Sequence, residues 1–335
     1  MTIDALRKQA TALDQLRGTR RRTTRAQDKA WKSLEHFCQN ACAAVIDDRL
    51  EVLKDSDLGR GLNLTLAVTG QRPAYLVIND EIVWESSLVE AKDWQEKIER
   101  IDPSKLQQVL RGVGLIQLTT DKRIAGTGFV IGADRDLVVT NRHVARLFFS
   151  PEKRTGGRLD WQSRGGTVVM DFGLEARTRS DKRQRVVERV VFAPPDEIPE
   201  LGPIQHHLPD VAILQLKRER GAYLPEPLPL LTGVEPQPNQ ELLIIGHPSK
   251  DLRYPEQGQV GEALKVVFGA QYGLKRVAPG QYNRLPNPTG SALRSGARSV
   301  AHRLAHDAST LGGNSGSPVL LLAPGAGCLG LHYAG

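Results

Sequence analysis

Three short stretches of this chain hold side chains that could together carry acyl transfer. Leu311-Gly312-Gly313-Asn314-Ser315-Gly316-Ser317-Pro318 sets a hydroxyl among glycines. A nucleophilic serine needs a tightly turned backbone, so that its hydroxyl projects while adjacent N–H groups converge on the developing oxyanion, and glycines on both sides permit that turn. Taken alone the segment also reads as an ordinary Gly-Ser loop. Arg142-His143-Val144-Ala145 follows the β-rich run LVVTN, which puts an imidazole just past the end of a strand. Asp210, in Leu208-Pro209-Asp210-Val211-Ala212-Ile213-Leu214, immediately precedes an apolar strand pattern and by itself reads as a strand-start cap. Along the chain the order is imidazole, carboxylate, hydroxyl. That is one of the orders in which a general base, the group that orients it and a nucleophile are found in acyl-transfer enzymes.

With those residues in place, TNRHVA, PDVAIL and GGNSGSPV resemble the His, Asp and Ser motifs of trypsin-like (chymotrypsin-fold) serine proteases, within the bacterial branch of glutamyl-endopeptidase-like and HtrA-like sequences. The resemblance covers residues 112 to 335. It implies that Ser315 attacks the scissile carbonyl, that His143 takes and returns the proton, and that Asp210 holds the imidazole. It further implies an oxyanion hole built from the N–H groups of Gly313 and Ser315, a protein or peptide as substrate, and no metal or organic cofactor. Asp171 and Asp307 are the competing carboxylates, but neither stands ahead of a strand in the DVAIL context. Thr310 and His332 occupy the positions that contact an acidic P1 side chain in the glutamyl-endopeptidase branch; the alternative is that Thr310 bonds its own loop and His332 lines a wall. Asn314 stands where digestive members carry an aspartate that pairs with a new N-terminus. Without that charge, control is expected from the N-terminal region, a partner or loop ordering. The chain stops at Gly335, so the resemblance implies either a longer natural protein, with a further effector module, or an abbreviated specificity pocket.

Other chemical readings fall away on the residues themselves. His302, His306 and Asp307 have helical spacing but lack the glutamate of a zinc HExxH motif, and no cysteine pair lies near them, so no metal site is expected. His206, His207 and His247 read as loop residues. Gly126 and Gly128 in GTGFVIG imitate part of a dinucleotide fingerprint, but no helix pattern follows.

The elements that must position the three motifs are mostly strands. After Gly112 short β-rich runs alternate with turns: VGLIQLTT, GTGFVIG, LVVTN, TVVMDF, RVVERVVFA, VAILQL, ELLIIGH, LKVVFG, PVLLLA and CLGLHY. Segments between them lack helical periodicity, which favours a barrel or sandwich over βαβ units. The fold class expected is mainly β, and the resemblance implies a two-barrel chymotrypsin-like domain over residues 111–335. Residues 1–110 should form a helical and mixed accessory domain, with the boundary near residues 103 to 114. In that part, Trp31, Leu34, Cys38, Ala41, Cys42, Val45, Arg49 and Val52 recur at spacings of three and four, as one mainly apolar stripe on a helix from about Gln27 to Asp57. LNLTLAVTG, PAYLVIND and EIVWES read as strands and VEAKDWQEKIERI as a helix ended by Asp102 and Pro103. The segments 151 to 166 and 174 to 185 read as long basic loops.

Composition sets the outer limits. Of 335 residues 40% are hydrophobic and 25% charged, which excludes coiled-coil, collagen-like and wholly disordered chains. No apolar run reaches the ~18 residues of a membrane helix, and the N-terminus lacks the apolar stretch of a signal peptide, so no membrane association and a cytoplasmic location are expected. Most of the net charge of +7 sits in residues 1 to 25, where Arg7, Lys8, Arg17, Arg20, Arg21, Arg22 and Arg25 face only Asp4 and Asp14. Such an arm reads as solvated surface rather than as a nucleic-acid contact. Three cysteines make no disulfide framework; buried free thiols are expected. The competing functional class is a non-catalytic β-barrel module whose protease-like motifs serve as scaffold and whose basic arm binds nucleic acid or a partner.

Overall fold

The computed structural model describes residues 72–84, 89–120, 124–153, 159–176, 181–194, 209–237, 239–250, 259–269, 271–282, 304 and 306–333. The expected helix from Gln27 to Asp57, the basic arm and the LNLTLAVTG strand lie outside them. The chain divides into two compact units, one of residues 1–74, 85–96 and 251–271, the other of residues 75–84, 97–250 and 272–335.

In chain order the elements are β1 (Tyr75–Ile78), β2 (Glu81–Ile82), α1 (Val89–Ile98), α2 (Pro103–Gly112), β3 (Val113–Leu118), β4 (Ile124–Ile131), β5 (Leu137–Thr140), α3 (Arg142–Arg146), β6 (Phe149–Lys153), β7 (Leu159–Ser163), β8 (Val168–Asp171), β9 (Gln184–Phe192), β10 (Ala212–Leu216), β11 (Glu241–Gly246), α4 (Gln259–Phe268), β12 (Arg276–Gln281), β13 (Pro318–Leu321) and β14 (Cys328–Leu331). The mainly-β expectation holds. Among the described residues no helix is long and apolar enough to cross a membrane.

In the larger unit, β10-β5-β4-β3-β8-β9 close into a barrel, and β14-β13-β11-β12-β1-β2 form a six-stranded sheet. Alternation places one face of each barrel strand inward: Ala212, Leu214 and Leu216 of β10 are buried and meet Val130, Val138, Val144, Phe148, Met170 and Phe172 in one core. That packing sets the register of β5 and β10, with Ala212 opposite Thr140. Asn141–His143 and Asp210 therefore leave the barrel at the same rim.

Five features differ from the sequence reading. The expected boundary near residues 103 to 114 does not coincide with the division between the units, because Tyr75 and Leu76 pair with Val277 and Arg276 of β12. Asp102 and Pro103 do not merely end a helix; Asp102 accepts hydrogen bonds from the N–H groups of Ser104 (2.8 Å) and Lys105 (3.3 Å) and caps α2. The 151–166 segment contributes to a hairpin, β6 with β7, whose Phe149 and Trp161 are buried in the barrel core. LKVVFG is not a strand but the end of α4, in the smaller unit: its apolar run continues a helical pattern begun at Gln259. β12, RVAPGQ, is a strand without a strand signature in its sequence, because Pro279 and Gly280 interrupt the pattern.

Candidate active site

Asn141 opens the short helix α3 immediately after β5, and this turn delivers His143 to the barrel rim. His143 Nδ1 stands 2.5 Å from Asp210 Oδ2, and the backbone N–H of His143 donates to Asp210 Oδ1 at 3.0 Å. The Asn141 amide donates to the Asp210 carbonyl at 2.8 Å, so both the side chain and the backbone of Asp210 are tied to the α3 turn. The carboxylate is nearly covered, at 11% exposure, whereas the imidazole is 40% exposed. A carboxylate only accepts, so Nδ1 carries the proton and the lone pair of His143 lies on Nε2.

Ser315 sits half-buried in the loop between residues 311 and 317. Two glycines there have left-handed backbones, Gly313 at φ +86° and Gly316 at φ +91°. Asn314 N–H donates to Leu311 O (3.1 Å) and Ser317 N–H to Asn314 O (2.9 Å), closing two successive tight turns around the serine. The loop is fastened to the barrel through β4, where Thr127 N–H donates to Ser315 O at 2.7 Å. A side chain at Gly126 would come within 2.6 Å of Val144 and 2.8 Å of Ser315 O, so the residue next to His143 and the backbone of Ser315 rest against the same bare stretch of β4. The histidine and serine segments thus rest against one strand, and Asp210 is tied to the histidine turn.

On the other side of the loop, Gly316 N–H donates to His332 O (2.8 Å) and His332 N–H to Ser317 O (2.9 Å), which fixes the end of β14 alongside the serine loop. The His332 ring is buried, and its Nδ1 lies 3.0 Å from His306 Nε2. Burial, reinforced by the neighbouring His306 and His143, pushes its pKa down to about 3. His306, drawn down by burial in turn, has no partner for Nδ1 among the described residues. An orphaned lone pair is cheaper than an orphaned N–H, which assigns the proton of neutral His306 to Nε2 and makes His332 Nδ1 its acceptor. The one proton of His332 then resides on Nε2. Thr310 is half-buried in the segment leading to the loop.

The sequence pairs His306 with His302 and Asp307 by spacing; the fold pairs it with His332, 26 residues on. No signal in the sequence carries that contact. The competing carboxylates are spent elsewhere: Asp171 accepts from Gly173 N–H (2.9 Å) and Gln184 (2.8 Å), and Asp307 from Gln281 N–H (2.7 Å). His247 lies in the loop after β11, as the sequence reading has it, and is fully buried there, with its pKa pushed down to about 3 by desolvation and by Lys275. Gly126 and Gly128 lie within β4, which pairs with β3 and β5, rather than on a strand-to-helix turn.

A family model described as "Trypsin-like peptidase domain" matches residues 126–326. A probable serine protease of Lysobacter enzymogenes is 29% identical over 294 residues, covering 84% of this chain and 71% of that protein. Among solved structures, the serine endoprotease from Yersinia pestis is 15% identical with a TM-score of 0.38, over 70% of this chain and 57% of the other. The chain therefore spans little more than half of that endoprotease. The Rv3671c protease in an inactive form is 19% identical with a TM-score of 0.38, over 69% of this chain and 80% of the other.

Proposed function

Because the chain belongs to the family of trypsin-like peptidase domains, we propose that it is a serine endopeptidase working through Ser315, His143 and Asp210. The observation that carries this reading is the bond from His143 Nδ1 to the nearly covered Asp210 carboxylate. It leaves Nε2 unprotonated on a half-exposed ring, which is what a general base requires.

In this reading Nε2 takes the hydroxyl proton as Ser315 Oγ attacks the scissile carbonyl. Asp210 fixes the tautomer and stabilises the imidazolium that forms. The negative charge on the tetrahedral oxygen is met by the N–H groups of Gly313 and Ser315, each worth about 3 kcal/mol in such sites. The imidazolium returns the proton to the leaving amine, an acyl-enzyme remains, and water activated by the same Nε2 releases the acid product.

For the P1 side chain we propose an acidic residue, received by Thr310 and His332. Support comes from the tautomer set by His306, which gives the His332 ring an N–H on Nε2. A neutral donor beside a hydroxyl can bind a carboxylate by hydrogen bonds, and the bound charge would favour protonation of the imidazole. Peptides with glutamate at P1 should be cleaved faster than their alanine counterparts, and His332→Phe should erase the difference.

A fluorophosphonate probe tests the core of the reading. The unaltered protein should be labelled, and Ser315→Ala and His143→Ala should not. Asp210→Asn should slow peptide turnover on the order of 10⁴-fold, because the tautomer is then wrong. Equal labelling of the unaltered protein and Ser315→Ala would end the assignment and leave the binding-module reading in its place.

A further inference from the structure

We propose that Thr127 is a positioning residue for the oxyanion hole, its hydroxyl locking the peptide plane that lies between the two planes carrying the amide donors. This inference rests on the serine endopeptidase reading and adds to it a residue outside the three catalytic motifs.

Thr127 lies in β4 with its side chain fully buried. Its Oγ1 is 2.7 Å from Gly313 O and 3.0 Å from the backbone N of His247. A carbonyl can only accept and an amide N–H can only donate, so the hydroxyl donates to Gly313 and accepts from His247. Its backbone is committed as well, N–H to Ser315 O and C=O to Thr140 Oγ1, both at 2.7 Å. One residue of the barrel therefore grips the serine loop at two carbonyls that flank the Ser315 amide.

What those grips control follows from peptide planarity, which points C=O and N–H of one unit in opposite directions. The Gly313 N–H belongs to the plane whose carbonyl is that of Gly312, and this carbonyl accepts from Ser249 N–H at 2.6 Å. The next plane carries the Gly313 carbonyl and is held by the Thr127 hydroxyl. The third carries the Ser315 N–H, and its Asn314 carbonyl accepts from Ser317 N–H. The fourth carries the Ser315 carbonyl, held by Thr127 N–H. Gly313 and Gly316, at left-handed φ, are the residues about which these planes would most readily rotate.

The hydroxyl has a second effect, because its other partner, His247, is joined through Pro248 to Ser249. It joins the segment that orients the first donor plane to the plane that follows. Catalysis by an oxyanion hole depends on donors fixed before the charge develops, so loosening this joint should slow bond formation more than substrate capture.

The test compares Thr127→Val, which keeps shape and removes the hydroxyl, Thr127→Ala, which removes it with less bulk, and Thr127→Ser, which restores it. Saturation kinetics with a fluorophosphonate separate the maximal inactivation rate from the probe's apparent dissociation constant. The expected result is a fall in maximal rate of about tenfold or more in Val and Ala, below the full cost of a lost donor, with the dissociation constant within twofold and Ser close to the unaltered protein. A rate unchanged in a folded Val or Ala variant, or a loss confined to the dissociation constant, overturns the proposal. Failure of both to fold while Ser folds overturns it in favour of a purely structural hydroxyl. An unaltered protein that takes up no probe sinks the endopeptidase reading itself, an outcome distinct from the others.

Discussion

His247 and His332 are buried imidazoles on opposite sides of the serine loop, and desolvation pushes both pKa values down to about 3. In the unfolded chain each would titrate near its ordinary value of 6.5. Between those values the unfolded state binds more protons, so stability is intact above about pH 6.5 and is lost as pH falls toward 3, at ~1.4 kcal/mol per pH unit for each histidine. Urea denaturation at pH 7.5 and at pH 5 should therefore show a decline of about 2 kcal/mol per histidine, in a window where unfolded carboxylates scarcely titrate. His247→Gln should remove its own share of that decline, about 2 kcal/mol, and leave the part that His332 and His306 contribute. An unchanged free energy across this interval would mean that the two rings are solvated. Cys328, by contrast, is a buried free thiol pushed up to about 12 by burial, which fits the expectation of buried free thiols; Cys38 and Cys42 lie outside the described residues.

At the scale of elements, the serine loop depends on how closely it can approach β4. A Cβ at Gly316 would sit 1.9 Å from Thr127 O and 2.5 Å from Thr140 Oγ1, in a backbone conformation that L side chains rarely adopt. Neither neighbour can yield, since Thr127 O and Thr140 Oγ1 are bonded to each other across β4 and β5. Gly316→Ala should cost about 1–3 kcal/mol from backbone strain alone, with the clash added to it. It should also abolish fluorophosphonate labelling by pushing Ser315 out of the turn. A thermal melt with parallel labelling checks this; native stability and full labelling in the variant would show that the loop is not clasped as described.

At the scale of the larger compact unit, the upstream hairpin and the strands behind the site share a buried ion network. Lys275 Nζ, with no exposure, donates to Leu110 O (2.8 Å), Phe172 O (2.9 Å) and Glu175 Oε1 (3.0 Å). Glu175 accepts in turn from Asp80 N–H at 3.0 Å, and the Asp80 carboxylate pairs with Arg111 and Arg183. Burial opposes the charge on Lys275 and draws its pKa down, while Glu175 holds it up. Removing one member leaves the other charged and unpaired in a dry interior, so Lys275→Met should destabilise the fold by about 3–5 kcal/mol. The double change Lys275→Met with Glu175→Gln should recover part of the loss. Denaturant titration of Lys275→Met, Glu175→Gln and the double variant measures this; additive losses would show that the two groups are independent.

Much of the site could be read without coordinates. Local rules supply a strand from alternating apolar residues, a turn from glycines around Ser315, and an imidazole and a carboxylate from where His143 and Asp210 stand relative to β5 and β10, because each depends on neighbours a few residues apart. Contacts across the fold obey no such rule. That Asp102 caps a helix rather than ending one was within reach of local chemistry, and it was hidden only by the preceding helix. The partnership of His306 with His332, the hold of Thr127 on Gly313 and the pairing of β1 with β12 join residues from 26 to about two hundred positions apart. Each arises from strand pairing or from a loop laid against a strand, which brings distant parts of the chain side by side. Sequence thus determined which groups are available for chemistry and the strands that carry them, while closure of the barrel and clasping of the serine loop decided which of those groups meet.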